Sequence, residues 1–186
     1  MDSPTVFCHN DLLLKNIIYH ETSGITFIDF EYADFNFQAF DIANHFCEFA
    51  GVERYDPLQY PDEDFQREWI KHYISSWKRL NPPSPCDDTS DTVVTTNGKG
   101  SDVSVFVSQH DLEITEEEVE DLLSQVKKFA MAAHLLWGIW ALIQSRHSKI
   151  NFDFLSYARD RLKEYFVAKG KLLANARHPS NGHSKM

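Results

Sequence analysis

The sequence predicts an α+β fold that is mainly α-helical. Four segments place apolar residues at helical spacing, and one short segment predicts a β-hairpin. The chain has 186 residues, of which 42% are hydrophobic and 13% aromatic. That composition is too apolar for a disordered chain, and the length allows a core that needs neither disulfides nor metals.

The hairpin is predicted over residues 16–28. Apolar runs at 16–19 and 25–28 flank the polar segment 20–24, which ends in Gly24. β-Branched residues favour strands, and a polar segment ending in glycine favours a tight turn.

The first two helices are predicted on the C-terminal side of the hairpin. One covers residues 38–50 and stops at Gly51, and the next begins near Asp62, after Pro61, and ends at the prolines that follow Asn81.

The last two helices lie in the second half of the chain. Thr115 and Glu118 have the spacing of a capping box, which predicts a helix that begins there and runs to about His147. Its second half is apolar nearly all round, so we expect it to be the central buried helix. The fourth helix is predicted over 153–169.

The composition also suggests the domain organisation. Residues 1–80 and 111–170 form one predicted lobe, and 81–110, rich in Pro, Ser, Thr, Asp and Gly, form a low-complexity loop insertion. Residues 171–186 are predicted to be a flexible tail.

Charge and cysteine content limit the classes of partner. The 18 Lys and Arg residues and 28 Asp and Glu residues give a net charge of −10, which argues against nucleic acid and favours a small cationic substrate. Three cysteines without CxxC spacing suggest free thiols and a cytoplasmic location. We expect no signal peptide and no membrane span.

The residues most suggestive of chemistry are Asp11, Asn16 and Asp29. An Asp, an Asn five residues later and a second Asp after a hairpin are what phosphoryl transfer to a hydroxyl requires. One carboxylate accepts the hydroxyl proton, while the amide oxygen and the other carboxylate hold Mg²⁺. The alternative is that these acids only cap turns and strand ends.

Other site types have less support. The nine histidines lack HxH or HExxH spacing, no GxSxG elbow or GxxxxGK[ST] loop occurs, and nothing further supports Cys8 and His9 as a nucleophile pair.

The segments around these residues resemble the choline/ethanolamine kinase family. The resemblance covers 5–80 and 115–168, and its motifs are His9-Asn10-Asp11 with Asn16, Ile28-Asp29-Phe30-Glu31-Tyr32, Asn36, Phe40-Asp41-Ile42, Asn44-His45-Phe46, Glu48, Ala132-Ala133-His134-Leu135-Leu136-Trp137-Gly138-Ile139-Trp140 and the stretch 152–165. It implies the C-terminal lobe of the protein-kinase-like fold, with the hairpin carrying the catalytic and metal-binding loops.

The resemblance also implies roles for individual residues. Asp11 is the implied catalytic base, Asn16 and Asp29 the implied Mg²⁺ ligands, and ATP the co-substrate. The implied lining of the ammonium pocket is Glu48, Tyr32, Trp137, Trp140 and Tyr157, and the implied structural residues near the site are His9, Asn10 and Glu31. For the aromatic residues, ordinary core packing is the open alternative.

Segment 47–52 and Tyr60-Pro61 resemble the ethanolamine branch more closely than the choline branch. The implied activity is ATP-dependent phosphorylation of ethanolamine to phosphoethanolamine, in phosphatidylethanolamine biosynthesis. Alternatives are a choline kinase, an aminoglycoside-type kinase, or a non-catalytic lobe that docks through the surface left by an absent nucleotide lobe. Because nothing before Val6 supplies that lobe, we expect the isolated chain to turn over poorly.

Overall fold

Short strands precede long helices in the computed structural model, which describes residues 3–81 and 113–177. The strands and helices, in chain order, are β1 (Thr5–Cys8), β2 (Ile17–His20), β3 (Gly24–Phe27), β4 (Asp34–Phe37), α1 (Gln38–Glu48), α2 (Glu63–Leu80), α3 (Glu116–His147) and α4 (Phe154–Arg177). One compact unit comprises Met1–Asp62 with Leu122–Met186, and a second comprises Glu63–Asp121. The predicted mainly helical α+β character is confirmed.

The strands form two separate antiparallel pairs. In the predicted hairpin, β2 pairs with β3 from Ile17 opposite Phe27 to His20 opposite Gly24, and Gly24 has a φ of 79°. β1 pairs with β4, with Thr5 opposite Phe37. The sequence did not predict this second pair, because Asp and Asn in β4 disfavour strands and its partner lies nearly thirty residues away.

Helix α1 begins directly after β4. Its first turn is held by the N-terminal segment, since Gln38 N donates to Pro4 O (2.9 Å) and Ala39 N donates to Ser3 Oγ (3.1 Å). Past its end, Gly51 has a φ of 85°, and a Cβ there would lie 2.9 Å from Arg54 O. Gly51 therefore ends the helix as predicted, by adopting a conformation that other residues resist.

The second unit contains α2 and the first turns of α3. Thr115 and Glu118 form the predicted capping box: Glu118 N donates to Thr115 Oγ1 (3.2 Å), and Thr115 N donates to Glu118 Oε2 (2.9 Å). Lys78 also pairs with Glu118 (2.8 Å), and Arg67 bonds Glu120. These bonds join α2 to the start of α3 within this unit.

The prediction that the apolar second half of α3 makes it the central buried helix is wrong, because only part of that half is buried. Trp137 and Ala141 are buried, whereas Leu136, Ile139 and Ile143 on the other side are about half exposed. Gly138 lets α4 approach closely, since a Cβ there would lie 2.9 Å from Leu162. Within the described part of the first unit, only one face of the helix is packed.

Helix α3 is also long and apolar enough to cross a membrane by length and composition, and 44% of its most apolar window is buried within the protein. A core helix passes the same test.

Helix α4 is longer than predicted. It continues to Arg177 rather than ending at residue 169, so the first part of the predicted flexible tail is helical. Polar residues such as Lys and Asn tolerate an exposed helix, which explains why apolar periodicity alone ended it too early. Residues 82–112, which include nearly all of the predicted insertion, and residues 178–186 lie outside the described residues.

Candidate active site

Asp41, in the first turn of α1, holds the loop after β1 through two hydrogen bonds. Its two carboxylate oxygens accept the backbone N–H groups of His9 (2.9 Å) and Asn10 (2.8 Å). Hydrogen bonds to a charged acceptor are stronger than neutral ones. Asp41 therefore sets the path of the backbone that leads directly into Asp11.

Asn10 holds the same loop with its side chain. Its Nδ2 donates to Tyr32 O (2.9 Å) and its Oδ1 accepts from Asn36 Nδ2 (2.9 Å). Its backbone oxygen accepts from Asn44 Nδ2 (3.0 Å). These bonds tie the loop to β4, to α1 and to the turn after β3.

His9 uses both ring nitrogens within this framework. Nδ1 accepts from Asp11 N (3.3 Å), and Nε2–H donates to Ile28 O (2.9 Å). The ring also lies 4.8 Å from the Phe30 ring, centroid to centroid. The structure therefore places His9 as a brace between the loop and the end of β3, with both nitrogens engaged.

Asp11, Asn16 and Asp29 come together through the hairpin. Asn16 Nδ2 donates to Asp11 O (2.9 Å), and Asn16 O accepts from Ile28 N (3.0 Å), beside Asp29. Asp29 has a φ of 63°, as does Asn10, and they are the two non-glycine residues with positive φ in the described ranges. Such strained positions concentrate at functional sites.

The surroundings of Asp11 disfavour its charged form. Burial, followed by the negative charges of Glu48, Asp29 and Glu31 in that order, raises the pKa of Asp11 to about 7, while a hydrogen bond from Asn16 opposes them. A carboxyl group with a pKa near neutrality is suited to accept a proton at physiological pH.

Three of the predicted pocket aromatics contact one another. The ring centroids of Tyr32 and Trp137, and of Trp137 and Trp140, are each 5.3 Å apart. Trp140 Nε1 donates to Tyr32 Oη (3.1 Å), and Trp137 Nε1 donates to Asn44 Oδ1 (2.8 Å). Tyr157 belongs to the same apolar cluster. Trp137 and Tyr157 are buried, whereas Tyr32 and Trp140 are partly exposed.

Glu48 is buried at the end of α1 and forms an ion pair with Arg161 of α4. Glu48 Oε1 accepts from Arg161 Nη1 at 3.0 Å, and the guanidinium carbon lies 5.6 Å from the centroid of the Tyr157 ring. Glu48 is thus already paired with a cation inside the protein.

The donor atoms available for a metal are oxygens. Asp11 and Asp29 repel each other, and the hydrogen bond of Asn16 Nδ2 leaves its Oδ1 for another partner. Among the described side chains, no cluster of three or more His, Cys, Asp or Glu residues could hold a metal ion. A metal here would therefore depend on the Asn16 amide, and hard oxygen donors of this kind fit Mg²⁺.

A family model described as choline/ethanolamine kinase matches residues 1–166. The chain belongs to the choline/ethanolamine kinase family. Membership in this family agrees with the motifs around Asp11, Asp29 and Glu48.

Several curated members of the family are similar in sequence. Ethanolamine kinase 1 of mouse is 45% identical over 94% of this chain and 41% of its own length. Ethanolamine kinase of Drosophila melanogaster is 40% identical over 94% of this chain and 28% of its own length. The chain thus spans less than half the length of the curated family members it matches.

Solved structures of the family have the same fold. An ethanolamine kinase from Plasmodium vivax has a TM-score of 0.63 and 32% identity, covering 88% of this chain and 34% of that one. A choline kinase from Cryptosporidium parvum has a TM-score of 0.64 and 26% identity, covering 92% and 40%. The described chain therefore has a kinase-like fold of this family.

The sequence reasoning gave no role to Asp41, Asn44 or Arg161. Asp41 and Asn44 lie within the family motifs, but only the structure shows that their side chains bond the backbone of the loop after β1. Arg161 had a readable signal: it falls four residues after Tyr157, on the apolar face of a predicted helix, where an unpaired charge is costly.

Proposed function

We propose that this chain is the catalytic-loop and acceptor-binding part of an ethanolamine kinase, corresponding to the C-terminal lobe of the kinase-like fold. The observation that carries the proposal is the convergence of Asp11 with Asn16 and with the charges of Asp29 and Glu48, next to an aromatic cluster. The proposed reaction transfers the γ-phosphoryl group of ATP to the hydroxyl of ethanolamine. The proposal extends to a cytoplasmic role in phospholipid biosynthesis.

Asp11 is the proposed general base. It accepts the hydroxyl proton of ethanolamine as that oxygen bonds to phosphorus and the bond to the ADP leaving group breaks. The pKa of about 7 allows the ionised form at physiological pH. Asp41 supports the loop by accepting a hydrogen bond from the backbone N–H of His9. Within the loop, the His9 ring bonds Ile28 O and the Asn10 side chain bonds Tyr32 O.

Asn16 and Asp29 are the proposed Mg²⁺ ligands. Their oxygen donors and the mutual repulsion of Asp11 and Asp29 fit a divalent cation, whose binding would relieve that repulsion. When bound, Mg²⁺ would offset the negative charge of the ATP phosphates.

The proposed ammonium site lies between Glu48 and the exposed parts of Tyr32 and Trp140. Aromatic faces attract an alkylammonium group by about 0.5–2 kcal/mol. Trp137 and Tyr157 are buried, so they form the supporting wall of this site and leave the accessible ring faces to Tyr32 and Trp140.

An assay of the purified chain with ATP, Mg²⁺ and ethanolamine, followed by phosphorus NMR, tests the catalytic part. The expected product is phosphoethanolamine, formed more slowly than by full-length mouse ethanolamine kinase 1 and lost in Asp11→Asn. Product formation that is equal in Asp11→Asn, or none above the level of that variant, would overturn the catalytic assignment.

A second proposed function is docking of another polypeptide through the strand pairs. Phe7 and Phe35 of β1 and β4 are 64% and 72% exposed, and Tyr19 and Ile25 of β2 and β3 are 72% and 62% exposed. Apolar patches of this kind mark interaction surfaces. The proposed occupant is a nucleotide-binding lobe, and the Phe35→Ser variant should weaken docking of a separately expressed lobe from a full-length relative. Undiminished docking would exclude this surface.

A further inference from the structure

Lys15 brings a positive charge to an otherwise acidic part of the chain. Between residues 3 and 62 the sequence holds many Asp and Glu residues, whereas Lys15 and Arg54 are its only Lys and Arg residues. Lys15 directly precedes Asn16, the proposed Mg²⁺ ligand, whose amide nitrogen donates to Asp11 O. Of the two basic residues, Lys15 is therefore the one that belongs to the proposed catalytic loop.

The ammonium group of Lys15 is held by Glu53, in the loop after α1. Lys15 Nζ lies 2.6 Å from Glu53 Oε1, and the two side chains are 74% and 68% exposed. Glu53 follows Glu48, the last residue of α1, by five positions. The side chain of Lys15 therefore extends from the loop of the proposed metal ligand toward the end of α1, where the proposed ammonium site lies.

This ion pair can open at little cost. Exposed ion pairs contribute little to stability, because water screens both charges and the long side chains lose freedom when they pair. Lys has a flexible four-carbon stem and three N–H donors, so its ammonium group can turn to another acceptor without movement of the backbone. A more highly charged group can therefore displace Glu53 from Lys15.

A phosphoryl group at the proposed site needs such a cation. Besides burial, which has the largest effect, the negative charges of Asp29 and Glu31 raise the pKa of Asp11. The same carboxylates would repel a phosphate group placed beside Asp11. Phosphoryl transfer depends on cations that offset this charge, and Lys binds phosphate as a point charge. Ethanolamine carries no negative charge, so it gains nothing from Lys15.

We propose that Lys15 is a phosphate-binding residue: its ammonium group moves from Glu53 to the phosphoryl oxygens of the product, phosphoethanolamine, and donates N–H hydrogen bonds to them. Glu53 holds the ammonium group while the site contains ethanolamine. This inference rests on the proposed function, which places the hydroxyl that receives the phosphoryl group beside Asp11.

Calorimetric titration of the chain with phosphoethanolamine and with ethanolamine, at one fixed Mg²⁺ concentration, tests the inference. The readout is the affinity for phosphoethanolamine divided by the affinity for ethanolamine. In Lys15→Gln we expect this ratio to fall by about tenfold, the value of one hydrogen bond between charged groups. Lys15→Arg keeps the charge and should retain most of the ratio.

Glu53→Gln should have the opposite effect, which a structural role of the ion pair would not produce. Without the competing carboxylate, Lys15 is available to the phosphate group, so the ratio should rise by up to about fivefold, the value of an exposed ion pair. Arg54→Gln, at the exposed position next to Glu53, is the matched control and should leave the ratio unchanged.

The outcomes separate this inference from the proposed function. If the wild-type chain does not bind ethanolamine, the proposed function fails and the inference fails with it. If the wild-type chain binds ethanolamine but not phosphoethanolamine, or if the ratio is the same in Lys15→Gln as in wild type, only the inference is overturned. A ratio that falls in Glu53→Gln as it does in Lys15→Gln would show that the ion pair is merely structural, which also overturns the inference.

Discussion

The indole N–H of Trp137 donates a hydrogen bond of 2.8 Å to Oδ1 of Asn44, and both side chains are buried. The amide nitrogen of Asn44 in turn donates to the backbone oxygen of Asn10, the residue before Asp11. A residue expected to line a ligand pocket thus supports the backbone of the proposed catalytic loop.

We predict that Trp137→Phe is destabilising although it keeps an aromatic ring. The variant leaves Asn44 Oδ1 buried without its donor, which costs about 1–3 kcal/mol. Urea unfolding would measure the change. Trp140→Phe is the matched control, because its lost bond to Tyr32 Oη is half-buried and should cost less. Equal losses in the two variants would contradict this account.

A second prediction concerns Asp41. Asp41→Ala removes the acceptor of two backbone N–H groups and should lower the free energy of unfolding by about 2–4 kcal/mol, since each hydrogen bond involves a charged partner. Asp41→Asn keeps one acceptor and should lose about half as much. Asp34→Ala, at an exposed position, serves as the control. If thermal denaturation shows that Asp41→Ala is no less stable than Asp34→Ala, the supporting role of Asp41 is excluded.

The raised pKa of Asp11 predicts a pH-dependent stability. Between 3.8 and about 7 the folded protein holds a proton that the unfolded chain releases, so the free energy of unfolding falls as the pH rises through this window. Asp11→Asn removes that loss. The free energy of unfolding of the variant minus that of the wild type should therefore be about 1 kcal/mol larger at pH 8 than at pH 4, a value reduced for the partial exposure of Asp11.

Chemical denaturation in buffer without divalent cations measures this difference at the two pH values. If the free energies of unfolding of Asp11→Asn and wild type differ by the same amount at both pH values, the pKa of Asp11 is not raised.

The two described cysteines are predicted to be unreactive. Burial raises the pKa of both Cys8 and Cys47 to about 12, helped at Cys8 by the charge of Asp41. Thiols react as thiolates, so alkylation by iodoacetamide at pH 8 should be slow until the protein unfolds. Mass spectrometry of a Cys86→Ser variant would isolate these two thiols. Rapid labelling of either in native buffer would contradict their burial.

The parts of the fold that local patterns encode were predictable. Gly51 ended α1, Gly24 closed the hairpin, and the Thr115 capping box began α3. Each depends on residues only a few positions apart. The pairing of β1 with β4 was not predictable, because its strands are short and its contacts join distant parts of the chain.

The candidate site shows the same division. The spacing of Asp11, Asn16 and Asp29 indicated their convergence, since the hairpin between them is local. Arg161 and Glu48 are more than one hundred residues apart, so their pairing depends on how α1 and α4 pack. That packing also decides which of the pocket aromatic residues stay partly exposed, and apolar periodicity does not encode it.

The most direct test of the central claim, that this chain carries the acceptor site of an ethanolamine kinase, is calorimetric titration with ethanolamine. We predict saturable binding by the wild-type chain, weakened about twofold to thirtyfold by Trp140→Leu, which removes an aromatic face from the ammonium group. Tyr19→Leu, at an exposed position on β2, should bind as wild type does. No binding by the folded wild-type chain, or equal affinity in Trp140→Leu, would contradict the claim.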